Sequence, residues 1–212
     1  MFKICSVKYL FCLFAALSIS AAVFAQTPKQ IVSNMEKKVD SLSRKGIAMT
    51  IEIKVSVLGA FSSRTYVLGK KGYWETTVKG TKVMVWADEE NVWAYNSETN
   101  EVEIRKNDGK PKAESGDMEL FSKATDGYDI YIKEETGEAW QMECKKSRNN
   151  ADKDAPKTID LIVAKGSFLP LVLRTKMSGI TITMKDISFG VPEKKVTFNI
   201  NDFPGAKIND KR

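Results

Sequence analysis

One segment of the sequence constrains the fold more than any other. In residues 47–57 every second residue is apolar, while Thr50, Glu52 and Lys54 are among the residues between them. A period of two is the period of a β-strand, whose successive side chains point to opposite faces. The segment therefore predicts a long strand with one apolar face and one face in water.

Turn signals divide the rest of the chain into short extended segments. They include Lys79-Gly80, Asp126-Gly127, Gly166-Ser167 and Ser178-Gly179, and the residues between the turns are rich in Val, Ile, Thr, Tyr and Trp. Short strands separated by tight turns are typical of an antiparallel meander. The chain is therefore predicted to be mainly β.

Three of these segments carry a readable pattern. Residues 83–86 are apolar at every position, which predicts a strand that is covered on both faces. In the other two, apolar residues alternate with smaller or polar neighbours, at Trp140, Met142 and Cys144 and at Ile180, Ile182 and Met184.

The segment before the long strand has the spacing of a helix. Thr27 is a candidate N-cap, and Pro28 suits the first helical position. We expect an amphipathic helix that ends near Gly46 and lays its apolar side on the sheet. A second, short helix is predicted at residues 117–123. The apolar residues of the first helix recur three or four apart, at Ile31, Met35, Val39 and Leu42.

Residues 1–25 have the features of a secretory signal. Lys3 and Lys8 form a positive start, an apolar stretch of about 15 residues follows, and Val23-Phe24-Ala25 gives the short-residue pattern of a cleavage site. That stretch is shorter than the roughly 20 residues that a spanning helix needs, and a single membrane anchor is the alternative. We expect cleavage after Ala25, export to the periplasm, and a single domain over residues 26–212.

The residue types that are missing exclude several classes of enzyme. The chain has no histidine, which removes Ser-His-Asp hydrolysis and imidazole metal sites. It also lacks a Gly-rich phosphate loop, a Gly-x-Ser-x-Gly elbow and a Cys-x-x-Cys pair. Cys144 stands in an alternating strand, which favours a buried structural role over a nucleophile. We expect no enzyme, no cofactor and no metal; a carboxylate enzyme whose site the sequence does not reveal is the alternative.

The charge balance does not indicate a nucleic-acid partner. The formal net charge is +6, from 33 Lys and Arg against 27 Asp and Glu. Such a surplus is small and evenly spread, whereas nucleic-acid binding proteins concentrate basic residues on one face. We expect no nucleic-acid binding.

Two stretches resemble motifs of a known family. Residues 88–96 read Asp-Glu-Glu-Asn-Val-Trp-Ala-Tyr-Asn, and the chain ends with Val196-Thr197-Phe198, Pro204-Gly205 and Ile208-Asn209-Asp210. Together with the signal, the amphipathic helix and the meander, they resemble the LolA-like family of periplasmic lipoprotein carriers. The likeness covers the chain after the signal in order and in length.

The resemblance implies both a fold and a function. The fold is an incomplete antiparallel β-barrel of about eleven strands around an apolar cavity, with the N-terminal helix and the short second helix as lids. The function is that of a monomeric periplasmic carrier that shields the acyl chains of lipoproteins. Its partners are an inner-membrane ABC exporter, the acylated lipoproteins and an outer-membrane receptor.

The resemblance also assigns roles to residues. Lys71 stands where the family has an arginine that is linked to closing the lid, so Lys71 is the gate candidate. Lysine lacks the planar fork with which an arginine holds several carbonyl groups. The candidates for the cavity lining are Ile47, Met49, Ile51, Ile53, Val55, Trp74, Val85, Trp93, Ile180, Ile182 and Met184.

Two alternatives remain open from the sequence. Alternating apolar strands also fill an ordinary packed core, which is the simpler interpretation of the residues alone; the resemblance favours a cavity. A related envelope protein that binds lipid or senses stress, without lipoprotein clients, needs the same cavity.

Overall fold

The N-terminal helix has the predicted boundaries and a complete cap. A computed structural model describes residues 26–56, 59–108, 125–153 and 155–212, and in it helix α1 spans Pro28–Ser43. The Thr27 hydroxyl accepts a hydrogen bond from the Gln30 amide at 3.3 Å, and the Gln30 side chain accepts one from the Thr27 amide at 2.9 Å. Both bonds satisfy amide groups that a helix start leaves free. The predicted signal and the predicted helix at 117–123 lie outside the described residues.

Twelve strands follow the helix in the described part of the chain. In chain order they are β1 (Ile47–Val55), β2 (Gly59–Leu68), β3 (Lys71–Val78), β4 (Thr81–Ala87), β5 (Asn91–Asn96), β6 (Glu101–Lys106), β7 (Tyr128–Glu135), β8 (Ala139–Lys146), β9 (Thr158–Ala164), β10 (Pro170–Met177), β11 (Ile180–Phe189) and β12 (Lys207–Asp210). A short helix α2 (Glu193–Val196) and a 3-10 turn (Ile200–Asp202) precede β12.

The strands form one open sheet, so the predicted incomplete β-barrel is confirmed. Their order is β12-β6-β5-β4-β3-β2-β1-β11-β10-β9-β8-β7. Neighbours are antiparallel except for β12 and β6, which are parallel. The additional strand is β12, whose four residues are too short to show an alternating pattern. In the described part of the chain β7 and β12 are the edges, and they do not pair with each other.

One face of the sheet, which we call the inner face, carries helix α1. Ile31, Met35 and Val39 of the helix are fully buried in one cluster with residues of β1 and of β8 to β10. This is the apolar stripe that the helical spacing predicts, and the alternating strand at β8 supplies its partners. The strand residues of the cluster include Ile47, Met49, Trp140, Met142, Cys144, Ile159, Leu161, Val163 and Leu173.

The opposite, outer face is covered over β2 to β5 by residues 191–203, which we call the C-terminal segment. The Phe198 ring stacks on Trp93 with centroids 5.4 Å apart and meets the edge of Trp86 at 5.5 Å. Phe203 packs against Trp86 and Tyr95 at 5.5 and 4.5 Å. Aromatic pairs at these separations add to the free energy of simple burial. The C-terminal segment is therefore held to the sheet by aromatic contacts.

The polar groups beneath the C-terminal segment are paired. Tyr73 is 1% exposed, and its hydroxyl donates to the Glu75 carboxylate at 2.6 Å. Lys82 lies 3.1 Å from the same carboxylate. Burial of Glu75 raises the pKa of its carboxyl, but the hydrogen bonds from Tyr73 and Lys82 outweigh burial and the pKa is lowered. The Lys195 ammonium lies 4.6 Å from the centre of the Tyr73 ring, a cation–π contact.

Removing the Phe198 ring is expected to loosen this cover. Phe198→Ala should lower the free energy of unfolding by about 2 kcal/mol, less than for a fully buried phenylalanine, because Phe198 is half-buried. Ile200→Ala is the matched control in the same segment, since Ile200 is 42% exposed, and it should change stability little. Urea unfolding followed by tryptophan fluorescence measures both. Equal losses would show that the aromatic contacts do not hold the segment.

Candidate ligand-binding face

Strand register places ten of the eleven predicted lining residues on the inner face. Directly paired residues of neighbouring strands point to the same side of a sheet. One such row runs from Met49 through Thr65 and Trp74 to Val85, across four strands. On the other side of β1, Ile51 pairs with Met184, Ile53 with Ile182 and Val55 with Ile180. The inner face of β4, β3, β2, β1 and β11 is thus mainly apolar, with the hydroxyl side chains of Ser63, Thr65 and Thr76 among the apolar residues.

Trp93 does not share this face, and its assignment to the lining is corrected. It pairs with Trp86, which pairs with Tyr73, and all three lie in the cluster under the C-terminal segment. The reason is the odd–even alternation of β5: Trp93 and Tyr95 point outward, while Val92 and Ala94 point inward. The Trp93 ring is occupied by Phe198 rather than available to a ligand on the inner face.

Coverage of the inner face decreases along β1. Ile47 and Met49, beside the end of α1, are 3% and 6% exposed, whereas Ile53 and its neighbour Ile180 on β11 are each 38% exposed. Ile51, between these pairs, is half-buried. The helix covers β7 to β10 and the first residues of β1, and the far half of β1 extends beyond it. The apolar face is thus packed at one end and open at the other.

The inner side of β2 to β4 is also only partly covered. Trp74, Val83 and Val85 are half-buried there, although Met84 and Trp86 of the same strand β4 pack under the C-terminal segment on the outer side. The prediction that the strand at residues 83–86 is covered on both faces is therefore correct for the outer side, where Trp86 is buried. On the inner side Val83 and Val85 are only half-buried. Among the described residues, Trp74 has no aromatic ring partner, in contrast to Trp86, Trp93 and Trp140.

Among the described residues, two hydroxyl groups on the inner face have no hydrogen-bond partner. They are the buried Oγ of Ser63 and the buried Oγ1 of Thr175. Ser63 pairs with Ile51 and Thr175 pairs with Ile182, so each hydroxyl lies beside an apolar lining residue. A buried hydroxyl without a partner costs about 1–3 kcal/mol, which a ligand carrying a carbonyl group would offset. Sequence reasoning missed both residues, because a serine or threonine on an apolar face carries no signal until its partners are known.

Lys71, the predicted gate, lies on the outer face. It pairs with Leu68 at the start of β3, and Leu68 packs in the cluster beneath the C-terminal segment. Its ammonium forms an ion pair of 2.7 Å with Glu193 of α2. The hydrogen bond from Lys71 lowers the pKa of the Glu193 carboxyl. The position thus contacts the C-terminal segment, and the assignment of Lys71 as a gate over the inner face is corrected accordingly.

Cys144 is buried within the helix-covered part of the inner face, at 0% exposure. Burial raises the pKa of its thiol to about 12, and the nearby carboxylates of Asp160 and Glu143 add to the effect. A thiol with that pKa remains protonated at neutral pH and is a poor nucleophile. The described residues contain no group of three His, Cys, Asp or Glu side chains placed to hold a metal ion.

Comparison with known proteins finds solved structures that align with most of this chain at low sequence identity. No family model matches the chain, and no curated protein matches it. An uncharacterised conserved protein from Thermus thermophilus aligns with 88% of this chain and 100% of its own, at 15% identity and a TM-score of 0.45. A LolA superfamily protein from Nitrosomonas europaea aligns with 82% of this chain and 99% of its own, at 10% identity and a TM-score of 0.34.

A third solved structure, MucB in complex with MucA(peri), aligns with 79% of this chain and 60% of its own. The identity is 12% and the TM-score is 0.42. Each of the three structures is 15% or less identical to this chain. The function of this chain is therefore argued from its own residues. No helix in the described part of the chain combines the length and apolarity that a membrane span requires.

The change in coverage along β1 predicts different outcomes for two charged substitutions. Met49→Lys places an unpaired ammonium in the packed end and should unfold the protein at room temperature. Ile53→Lys puts the charge at the open end, where it reaches water, and should cost about 1 kcal/mol or less. Thermal unfolding followed by circular dichroism compares the two. Equal destabilisation would mean that the inner face is a packed core along its whole length.

Proposed function

We propose that this chain is a periplasmic carrier that binds the acyl chains of lipoproteins on its inner face and carries them from the inner to the outer membrane. The observation that supports the proposal most directly is the apolar surface of β1 to β4 and β11, which α1 leaves half-covered. A packed core has no reason to leave Ile51, Val85 and Met184 half-buried on one continuous face. A surface that accepts a mobile apolar ligand does.

The energetics of acyl-chain transport match this surface. An acyl chain in water costs about 0.8 kcal/mol for each methylene group, so a lipoprotein needs a cover to cross an aqueous compartment. The inner face offers aliphatic and sulfur-containing side chains, which adapt to a flexible chain better than a rigid set of rings does. Ile51, Ile182 and Met184 are representative of these residues.

The same energetics imply that loading and release depend on partners. Movement of an acyl chain from a bilayer to a protein surface exchanges one apolar environment for another and yields little free energy. We therefore propose an energised inner-membrane exporter as the donor and an outer-membrane receptor of higher affinity as the acceptor. The carrier needs no catalytic activity and no cofactor for this exchange.

The two unpaired hydroxyls extend the proposal to the polar part of the ligand. The acyl chains of a lipoprotein are joined through ester and amide groups, whose carbonyl oxygens accept hydrogen bonds. Ser63 and Thr175 lie beside Ile51 and Ile182 and present free donors on the inner face. They are the residues proposed to bind these carbonyl groups.

Tryptophan fluorescence can test where an acyl chain binds. The probe is a synthetic diacylated lipopeptide with bromine on its acyl chains, because bromine quenches a tryptophan that it contacts. Trp74 lies on the open inner face, while Trp86 and Trp93 lie under the C-terminal segment. The probe should quench the wild-type protein, and Trp74→Phe should remove most of the quenching. Trp93→Phe is the matched control and should retain it; the opposite pattern would place the ligand on the outer face.

The hydroxyl contacts predict a second, separate effect. Ser63→Ala should weaken binding of an ester-linked diacyl lipopeptide about fivefold, the equivalent of one net hydrogen bond of ~1 kcal/mol, without lowering stability. The ether-linked analogue lacks the carbonyl group, so its affinity should be the same for the variant and the wild type. Competition against the brominated probe measures both affinities. An equal loss for the two lipids would exclude a hydrogen bond to the ester.

Carriage, as distinct from binding, is tested in the bacterium that produces the protein. Depletion of a carrier should leave outer-membrane lipoproteins in the inner membrane, as fractionation and immunoblotting would show. Correct localisation after depletion, with lipid binding intact in vitro, would favour an envelope lipid-binding or stress-sensing module instead.

A further inference from the structure

Exposed apolar side chains are concentrated at one end of the sheet, where β1, β3 and β10 end and β2 and β11 begin. We call them the rim; its members are Ile53, Phe61, Val78, Met177 and Ile180. They belong to β1, β2, β3, β10 and β11, five consecutive strands of the sheet. Ile53 pairs with Phe61 and Ile180 pairs with Met177, and Val55, the other partner of Ile180, lies between these two pairs on the same face. Val78 is the last residue of β3 at the same end.

The degree of exposure makes the rim unusual. Its five side chains are 38–43% exposed, and they are five of the nine large apolar residues that are exposed in the described parts of the chain. Single exposed apolar residues are ordinary on a protein surface, whereas a contiguous group marks an interaction site. The rim forms the open end of the inner face, since Ile53 and Ile180 belong to both, and it has the character of an interaction site.

The charges beside the rim have one sign. Lys54 and Lys176 both pair with Thr181, from opposite sides, and Lys79 lies in the β3–β4 turn. No ion pair among the described residues involves these three lysines, whereas many other lysines of the chain are paired. Residues 53–62, 77–82 and 174–181 contain no aspartate or glutamate. The nearest acid on the neighbouring turn is Glu98, which accepts a hydrogen bond from the Thr81 hydroxyl at 2.9 Å.

Hydrogen bonds join Ser56, which follows β1, to the turn between β10 and β11. The Ser56 hydroxyl donates to the Gly179 carbonyl at 3.0 Å, and the Ser56 amide donates to the same oxygen at 3.3 Å. These bonds connect the β1–β2 turn with the β10–β11 turn. The apolar rim residues, on the inner side, and Lys54 and Lys176, on the outer side, are thus held at the same end of the sheet.

We propose that the rim docks on the surface of a bilayer that contains anionic phospholipids. Exposed apolar side chains insert at the boundary of headgroups and acyl chains, and lysines around them bind the anionic headgroups. The five apolar rim residues suit the acyl-chain boundary of such a bilayer. Lys54, Lys79 and Lys176, which form no ion pair with a described residue, suit its anionic headgroups, and the sequence around them contains no acid. A protein partner of ordinary composition would present charges of both signs. Docking needs no ligand on the inner face, and Phe61, Lys54 and Lys176, which test it below, are not among the lining residues proposed above.

Flotation with lipid vesicles tests the docking. The protein is taken as its host cell processes it, with the N-terminus checked by intact mass. Wild type should float with vesicles of phosphatidylcholine plus a minority of phosphatidylglycerol, and binding to pure phosphatidylcholine should be much weaker. Lys54→Gln and Lys176→Gln should each weaken binding to the anionic vesicles about fivefold, because a lysine near such a surface is worth ~1 kcal/mol. Phe61→Ser should weaken it about tenfold.

Matched controls separate docking from general effects. Leu171→Ser removes a side chain with the same 43% exposure as Phe61, at the opposite end of β10, and should bind as wild type does. Lys38→Gln and Lys194→Gln change exposed lysines elsewhere and should also have no effect. Wild-type protein that does not float with anionic vesicles would overturn the proposal. So would rim variants that float normally but lose self-association in analytical ultracentrifugation, because the rim would then be an interface between protein chains.

The two proposals fail in different ways. Loss of vesicle flotation in Phe61→Ser with normal quenching by the brominated lipopeptide supports docking as a separate property. Normal flotation in a protein that the lipopeptide does not quench would contradict the carrier proposal and leave docking intact.

Discussion

The pairing of strand β1 on both of its sides is the constraint on which the rest of the structure depends. β1 pairs with β2 on one side and with β11 on the other, and so joins the two halves of the sheet. Its alternation decides which residues of both halves share a face. A slip of one residue would move every apolar side chain of the strand to the other face. The register of β1 therefore determines the packing of α1 and the apolar row that runs through Trp74 to Val85.

The two faces of the sheet have different covers, and the difference separates stability from binding. The outer face of β2 to β5 is closed by a segment with its own aromatic rings, and Trp86 beneath it is 7% exposed. Among the described residues, α1 closes one part of the inner face, and Ile53 and Ile180 beyond it are exposed. Because the C-terminal segment stabilises the sheet from outside, the inner side of the same strands does not need to be packed. An open apolar face can then exist without loss of the fold.

Much of this arrangement could be predicted from local patterns, and what could not has a physical reason. Thr27 and Pro28 predict the helix start, and the alternation of β1 predicts its apolar face, because both signals are contained in a few neighbouring residues. In β5 the residues Val92 to Tyr95 are all apolar, so alternation cannot tell which face Trp93 occupies; its pairing with Trp86 decides it. Phe198 and Phe203 likewise have no periodic pattern. Their role depends on rings that lie far away in sequence.

The pairing of β1 with β11, and of β6 with β12, also affects the order in which the sheet folds. Ile51 pairs with Met184, and Val102 pairs with Ile208, so each contact waits for residues that are synthesised much later. Contacts between distant parts of a chain are slow to form, because a long loop must close first. Strand β1 cannot pair on both sides until β11 has been synthesised. The rings of the C-terminal segment cannot cover the outer face until almost the whole polypeptide has been made. Closure of the sheet on β1 is therefore expected to be a late step of folding, after the hairpins between consecutive strands have formed.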